Sequence, residues 1–413
     1  MSPIPKFLAE LAGLVPRRKS LPALARFLAR IARTRNLQKK QRLAETYFER
    51  AQERGLPLVE PAGRPGFGRA VFLYRGPERK IALWCDLPGQ RDNEFFRVAG
   101  TDLFHFQREL ERDARMDYKF ILDGGPWVLD SANPRSTEGA FGVSSQFWMP
   151  EYTPPDIEYR DEIPHGTVEA FEWESELLGN ARAVKLYLPP GCGDSDARYP
   201  SLYVHDGFDY LNFAKIANVL DNGAAARRFP PLIAVLVPPV EREKEYDANE
   251  TFARAVVEEL VPAVDAAYPT RPEPQWRATL GASLGGLCAV HLAGAHPEVF
   301  GNAAGQSSAF FVESPLRKVR LNLDTGAPAK PVRLHLDVGT YERHYHKDLF
   351  SGNCAFSEAI RCKGYALQYV EVHEGHSWGS WRARIAPALE FLLGKKELAT
   401  KAQSLRERIR NRK

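Results

Sequence analysis

Apolar positions change their period twice along this 413-residue chain. Near the start they recur at helical spacing. Phe7, Leu8, Leu11 and Leu14 form one stripe, and Leu21, Leu24, Phe27, Leu28 and Ile31 form a second, with Arg26, Arg30, Arg33 and Arg35 between. Steps of three and four bring such residues to one helix face, so residues 1–60 are expected to be a basic helical arm. Over residues 66–150 the period falls to two. Arg69–Arg75 and Lys80–Asp86 alternate around a Gly76-Pro77 turn, and Leu103–Leu110 and Met116–Leu122 follow. Short alternating strands at regular spacing predict a β-sandwich. Residues 151–165, with Pro154, Pro155 and Pro164, read as a linker. Residues 166–394 then alternate apolar runs, at 202–204, 232–237 and 334–338, with helical stretches such as 251–268. Such runs suit strands buried on both faces, so a mostly parallel sheet flanked by helices is expected. Residues 306–330 have Pro and Gly but no period, and are a candidate lid. Residues 395–413 form a basic tail.

Charge sharpens this division. The net charge is only +4, yet residues 1–54 hold 13 Lys and Arg against 4 Asp and Glu, and residues 394–413 hold 8 against 2. The body between them is therefore acidic, at −11. Basic ends invite two accounts: contact with an anionic membrane surface or nucleic acid, or packing on the body or on another subunit with the arginines solvated. The second is favoured, nucleic acid is not an expected partner, and an oligomer stays open. No stretch approaches the roughly 18 apolar residues of a membrane span. Glu10 interrupts the first apolar run, which argues against a secretory leader. Five widely spaced cysteines, without CxxC or a metal-ligand spacing, fit reduced thiols in the cytoplasm.

The chemistry lies in Gly281-Ala282-Ser283-Leu284-Gly285, a G-x-S-x-G pattern. A strand-like segment precedes it and a helical one follows, and that context makes a nucleophile elbow. Ser283 is the candidate nucleophile. It needs a base, and His376 is the best of ten histidines because it sits in a loop after the strand-like Ala366–Val372. His373 reads as a surface neighbour. The acid that orients the base is expected after the strand at 331–339. Glu342 is the first candidate there, Asp337 and Asp348 are the others, and a Ser-His dyad without an acid is a further option. The oxyanion needs two N–H donors. Leu284, next after the nucleophile, offers one. Phe208, in the Asp206-Gly207-Phe208 turn after an earlier strand, offers the other. Two-step acyl transfer through these groups requires no metal or organic cofactor, and none is expected.

These residues carry a family likeness. The chain resembles the enterochelin (ferric enterobactin) esterases, within the esterase D and feruloyl esterase group of α/β hydrolases. The likeness rests on Gly281–Gly286, on His205-Asp206-Gly207, and on Arg242–Tyr246 with Asn249 and Phe252. It also rests on Glu259-Leu260-Val261-Pro262 and on Gly375-His376 with Trp381-Arg382. Gly339-Thr340-x-Glu342 resembles the group's acid-bearing loop. Two positions depart from the siderophore esterases: Ser377 stands where they usually have Asp, and Ala282 where a more polar residue is common. The resemblance implies an α/β-hydrolase domain preceded by an immunoglobulin-like early-set β-sandwich. It implies a small-molecule ester substrate, a ferric catecholate siderophore or a related aromatic acyl ester. Arg242 is then expected to hold an anionic part of it, and Tyr210, Trp378 and Trp381 to stack on a planar acyl group. The competing readings are a feruloyl-type or general carboxylesterase, an acyltransferase of the same fold, and a non-catalytic carbohydrate-binding protein. The last is prompted by a glycogen-module likeness at Tyr118–Phe120 and Asp130–Pro134.

Overall fold

Two helices open the part of the chain that can be described, which in this computed structural model comprises residues 22–86, 93–310, 331–344 and 348–394. Helix α1 spans Ala23–Arg33 and α2 spans Leu37–Glu53, the latter capped by Asn36, whose side chain accepts from the Lys39 N–H. Leu24, Phe27 and Ile31 are buried in one cluster with Val71, Leu73 and Leu103. Arg26, Arg30, Arg33 and Arg35 face water. This part of the arm therefore lies on the body, with its apolar stripe inward and its charge outward. The stripe at Phe7–Leu14 and the tail at 395–413 lie outside the described residues.

Short strands follow: β1 Leu58–Pro61, β2 Phe67–Arg75, β3 Ile81–Cys85, β4 Phe96–Arg97, β5 Leu103–Glu111, β6 Arg115–Leu122, β7 Trp127–Val128, β8 Ser136–Thr137 and β9 Ser144–Trp148. They form two antiparallel sheets, β1-β2-β5-β4 and β3-β6-β9-β8, with β7 on the side of β6. Alternation does what it must: Phe72, Phe104 and Phe106 of one sheet meet Leu83, Tyr118 and Phe120 of the other in one buried cluster. The Phe72 and Tyr118 rings cross edge to face at 5.1 Å.

Strands β10 (Thr167–Ser175), β11 (Asn180–Leu188), β12 (Ser201–His205), β13 (Ile233–Val237), β14 (Arg277–Ala282), β15 (Asn302–Gln306), β16 (Arg333–Gly339) and β17 (Ala366–Val372) make a mixed sheet. Its order is β10-β11-β13-β12-β14-β15-β16-β17, antiparallel through β11–β13 and parallel from there on. Helices cover both faces. On one lie α4 (Ile216–Ala225) and α10 (Ile385–Leu393), with α3 (Gly207–Asn212) preceding α4 in the chain. On the other lie α6 (Glu250–Ala255), α7 (Val261–Ala267), α8 (Leu284–Ala295) and α9 (Leu349–Cys362), with α5 (Arg242–Tyr246) at the strand ends. Within β13, Ile233, Val235 and Val237 join one core, and Ala234 and Leu236 join the other.

Three local outcomes differ from the pattern. The long helix expected over 251–268 is interrupted by a π-helical turn at Val256–Leu260, just before Pro262, which has no N–H to donate. Strand β15, Asn-Ala-Ala-Gly-Gln, lacks the apolar run that marks its neighbours. Its residues are small because α8 crowds it: a Cβ on Gly305 would run into Val290 and Ser308. The proline-rich stretch 151–165 is pinned down rather than free. Asn222 on α4 donates to the carbonyls of Asp156 and Glu158, Asn218 donates to that of Ile157, and His165 pairs with Asp221 at 3.0 Å. Of the expected lid, residues 311–330 lie outside the described residues.

His205, at the end of β12, is fully buried beside Tyr246 and bonded to Thr279 at 3.0 Å. Burial pushes its imidazole down to about 3. An unfolded histidine titrates near 6.5, so the stability of the neutral form is complete above that pH and declines as pH falls toward 3. His205→Asn is accordingly expected to reduce the loss of stability between pH 7 and about 4.5, measured by urea unfolding at both pH values.

Candidate active site

Strand β14 ends at Ala282 and α8 starts at Leu284, which leaves Ser283 alone on the turn between them. Its φ is +57° and its ψ −120°, a region that non-glycine residues avoid. Such strain persists only where the surroundings over-determine it. Here the Ser283 N–H donates to the Gln306 carbonyl at 2.9 Å, and the Ser283 carbonyl accepts from Leu287 and Ala309 at 3.1 and 2.9 Å. Gly281 is required because a Cβ there would overlap the Gly285 backbone.

The Ser283 hydroxyl lies 3.2 Å from Nε2 of His376. On the other side of the ring, Nδ1 lies 2.9 Å from Oε2 of Glu342. A carboxylate only accepts, so Nδ1–H donates to Glu342 and Nε2 is left to receive the serine proton. The ring is braced edge to face by Trp381 at 4.8 Å. Glu342 sits in the turn Thr340–His344 after β16 and is fully buried. Its second oxygen accepts from Ser307 at 2.7 Å and from the Gly339 N–H at 2.9 Å. Ser307 in turn accepts from the Trp381 indole at 3.1 Å and from Arg384 at 3.2 Å.

The other two acids are engaged elsewhere. Asp337 is buried within β16, where it takes 2.7 Å and 3.1 Å contacts from Arg384 and His335. Asp348 caps α9 through the Ser351 N–H. His373 pairs at 2.6 Å with Asp113 of the β-sandwich.

The turn after β12 abuts the elbow, with Asp206 at φ +57° and its carboxylate facing Gly285. Leu284 and Phe208 both stand in the first turn of a helix, where N–H groups lack intrahelical acceptors. The residues expected to bind substrate need correction. Tyr210 has no exposed surface, and its hydroxyl donates to Gln306 at 2.7 Å. Trp378 and Trp381 are 7% and 6% exposed and pack edge to face at 5.0 Å, with Tyr210 against Trp378 at the same distance. These three rings form core beneath the site and are not a stacking platform. Arg242 directs Nε and Nη2 onto both oxygens of Asp206, at 2.8 and 2.7 Å. These two nitrogens brace the turn, while the side chain stays 40% exposed. Arg343 stacks over Phe350 at 3.8 Å, and Lys347 lies outside the described residues. Ser307 was not legible as a site residue, since nothing local in Gln306-Ser307-Ser308 marks it. Among the described residues no cluster of His, Cys, Asp and Glu is arranged to hold a metal.

A mixed α/β sheet with Ser, His and Glu aligned above its parallel strands places the chain among enzymes that act on esters. Residues 175–392 match the Esterase family ("Putative esterase"), which is more than half the chain, and the chain belongs to that family. The chain is 27% identical over 316 residues to an iron(III) enterobactin esterase of Dickeya dadantii, covering 65% of this chain and 72% of that one. It is 26% identical over 249 residues to an endo-1,4-beta-xylanase/feruloyl esterase of Xylanibacter ruminicola, covering 57% of this chain and 34% of the relative. Its fold superposes on the ferric enterobactin esterase from Salmonella typhimurium with a TM-score of 0.72 at 22% identity, over 84% of this chain and 98% of that one. Among the described residues no helix is long and apolar enough to cross a membrane.

The two buried carboxylates are expected to fail differently. Asp337→Asn leaves Arg384 without its charge partner, a loss worth about 3–5 kcal/mol of stability when a buried pair is broken. The protein that remains folded should keep its turnover. Glu342→Gln should lower kcat far more than it lowers the melting temperature. Thermal melts and ester kinetics on both variants check this.

Proposed function

We propose that this protein is a serine esterase acting through an acyl-enzyme on aromatic acyl esters, those of a ferric catecholate siderophore first among them. The observation that carries the mechanism is the contact chain from Ser283 Oγ to His376 Nε2, 3.2 Å, and from His376 Nδ1 to Glu342, 2.9 Å, on a strained elbow. Ser283 Oγ attacks the ester carbonyl carbon and passes its proton to His376 Nε2. The carbonyl oxygen becomes an oxyanion, received by the N–H groups of Leu284 and Phe208. Collapse breaks the bond to the alcohol oxygen, which leaves with the proton from His376. Water then attacks the acyl carbon while giving a proton to His376. A second collapse frees the carboxylic acid and returns that proton to Ser283. Glu342 stabilises the imidazolium in both halves and fixes its tautomer.

The substrate class is supported by the relatives, one named for iron(III) enterobactin and one for feruloyl esters. The burial of Tyr210, Trp378 and Trp381 moves the expected aromatic contact to Phe208, which is half-buried with Lys185 over its ring at 4.8 Å. Arg242 acts indirectly, by holding Asp206 and hence the Phe208 N–H. We divide the chain into an arm at 1–57, an immunoglobulin-like early-set sandwich at 58–150, which begins where β1 pairs with β2, a linker at 151–165, the esterase domain at 166–394 and a basic tail at 395–413. None of the five cysteines is in a disulfide, which supports a reducing compartment, the cytoplasm.

A fluorophosphonate probe is expected to label Ser283 alone, and Ser283→Ala to lower kcat by about a thousandfold or more with an unchanged melt. Labelling elsewhere would refute the mechanism. Ferric enterobactin and ethyl ferulate are expected to be cleaved faster than p-nitrophenyl octanoate. The reverse order would make the protein a general carboxylesterase. Arg242→Ala should reduce kcat on every ester, large or small, because it loosens an oxyanion donor.

A further inference from the structure

The loop that carries His376 is held from outside the esterase sheet. The backbone N–H of Arg115, at the start of β6, donates to the His373 carbonyl at 3.1 Å. The Arg115 side chain is 1% exposed, pairs with Asp117, and donates from Nη1 to the Ser377 hydroxyl at 3.1 Å. Its guanidinium fills the place where residue 379 would carry a Cβ, so Gly379 serves as its socket. Asp113 holds His373, as described above. Asp86, just past the end of β3, does the same at residue 375: its carboxylate lies where a Cβ on Gly375 would be. A sandwich carboxylate is thereby pressed against the residue next to His376.

We propose that Asp86 is a positioning residue of the esterase site, a second carboxylate beside Glu342 that stabilises the imidazolium His376 becomes when it takes the Ser283 proton. The proposal rests on the serine-esterase reading and extends the reacting apparatus across two domains. Three anchors from β6 and the turn before it fix the loop, and Asp86 adds charge at its centre. The charges that act on Asp86 are those of His376, Asp117, Glu342 and Arg115. The loop's own Glu374 feels those of Arg115 and Arg384. Burial raises the Asp86 carboxyl to about 6. His376 and Arg115 oppose the rise, and Asp117 and Glu342 add to it. Asp86 is thus ionised at pH 8 and gains its proton as pH falls through about 6.

The sign of the effect follows. An ionised carboxylate near an imidazole favours the protonated ring and raises its apparent pKa. The base must be neutral to accept the serine proton, so the acid limb of kcat/KM reports it, coupled to Asp86. Removing the Asp86 charge lowers that limb's midpoint and also weakens the transition state.

The test uses the full chain as wild type, Ser283→Ala, Asp86→Asn and Asp86→Ala, with p-nitrophenyl acetate as substrate and thermal melts alongside. Over about pH 5–9, both Asp86 variants are expected to lose roughly three- to tenfold in the kcat/KM plateau through kcat, with KM unchanged. Their acid-limb midpoint should move down by about half to one pH unit. A plateau that falls with an unmoved acid limb, or failure of both variants to fold, assigns Asp86 a purely structural role and overturns the proposal. If Ser283→Ala is inactive while both Asp86 variants match wild type, the esterase reading stands and the proposal fails. If Ser283→Ala stays active, the serine reading itself falls, and the proposal with it.

Discussion

A fully buried carboxylate at Glu342 sets the terms for the surrounding structure. A carboxylate taken out of water is costly unless its oxygens accept hydrogen bonds. Glu342 has three donors: His376 on one oxygen, Ser307 and the Gly339 N–H on the other. Each donor then needs its own support. Ser307 is held by the Trp381 indole and by Arg384, and Arg384 is neutralised by Asp337. Asp337 also faces His335. The burial of one acid is thereby linked to a second buried ion pair, and Trp381 and Arg384 are drawn to the end of β16. Leaving any one of these polar atoms unpaired would cost on the order of 1–3 kcal/mol.

The same network explains why aromatic residues crowd the site without lining it. Trp381 braces the imidazole with its ring edge and holds Ser307 with its N–H. Tyr210 and the Trp381 carbonyl engage opposite ends of the Gln306 amide, and the Gln306 carbonyl holds the Ser283 N–H. These rings exclude water beneath the reacting groups, which strengthens each electrostatic contact there. Arg242 and Asp206 play the matching part on the oxyanion side. Tyr210, Trp378 and Trp381 are buried around Ser283 and His376 and fix where those two side chains stand.

The sandwich is joined to this fabric through specific contacts. Besides the anchors on the histidine loop, Tyr341 beside Glu342 donates to Glu111 of β5 at 2.7 Å and is buried within the sandwich core. The acid's turn and the base's loop are both seated against the same partner domain. Gly139, in the loop between β8 and β9, approaches Trp378, a further point where the sandwich meets the esterase domain. Relative movement of the two units would disturb the reacting residues directly.

Several features were legible from the chain alone because they depend on local rules. Alternation over 69–75, 103–110 and 116–122 and the apolar run ending at Val237 express strand burial, and strands lie at each. Gly281-Ala282-Ser283-Leu284-Gly285 spelled its own geometry, since only a glycine tolerates the backbone of residue 285 at position 281. Glu342 and His376 follow β16 and β17, which pair with each other, while β15 separates them from the strand that ends before Ser283. What stayed hidden was non-local. Whether Arg242 faced a ligand or Asp206, and whether Tyr210 faced solvent or Gln306, depended on partners 36 and 96 residues away. Ser307 has no local signature, and β15 was masked by the small residues that α8 demands. Gly375 and Gly379 are sockets for Asp86 and Arg115 from another domain, which no local pattern marks. Periodicity and turn chemistry are properties of neighbours in sequence. Satisfaction of buried charge is a property of neighbours in space, and only the folded chain decides which residues those are.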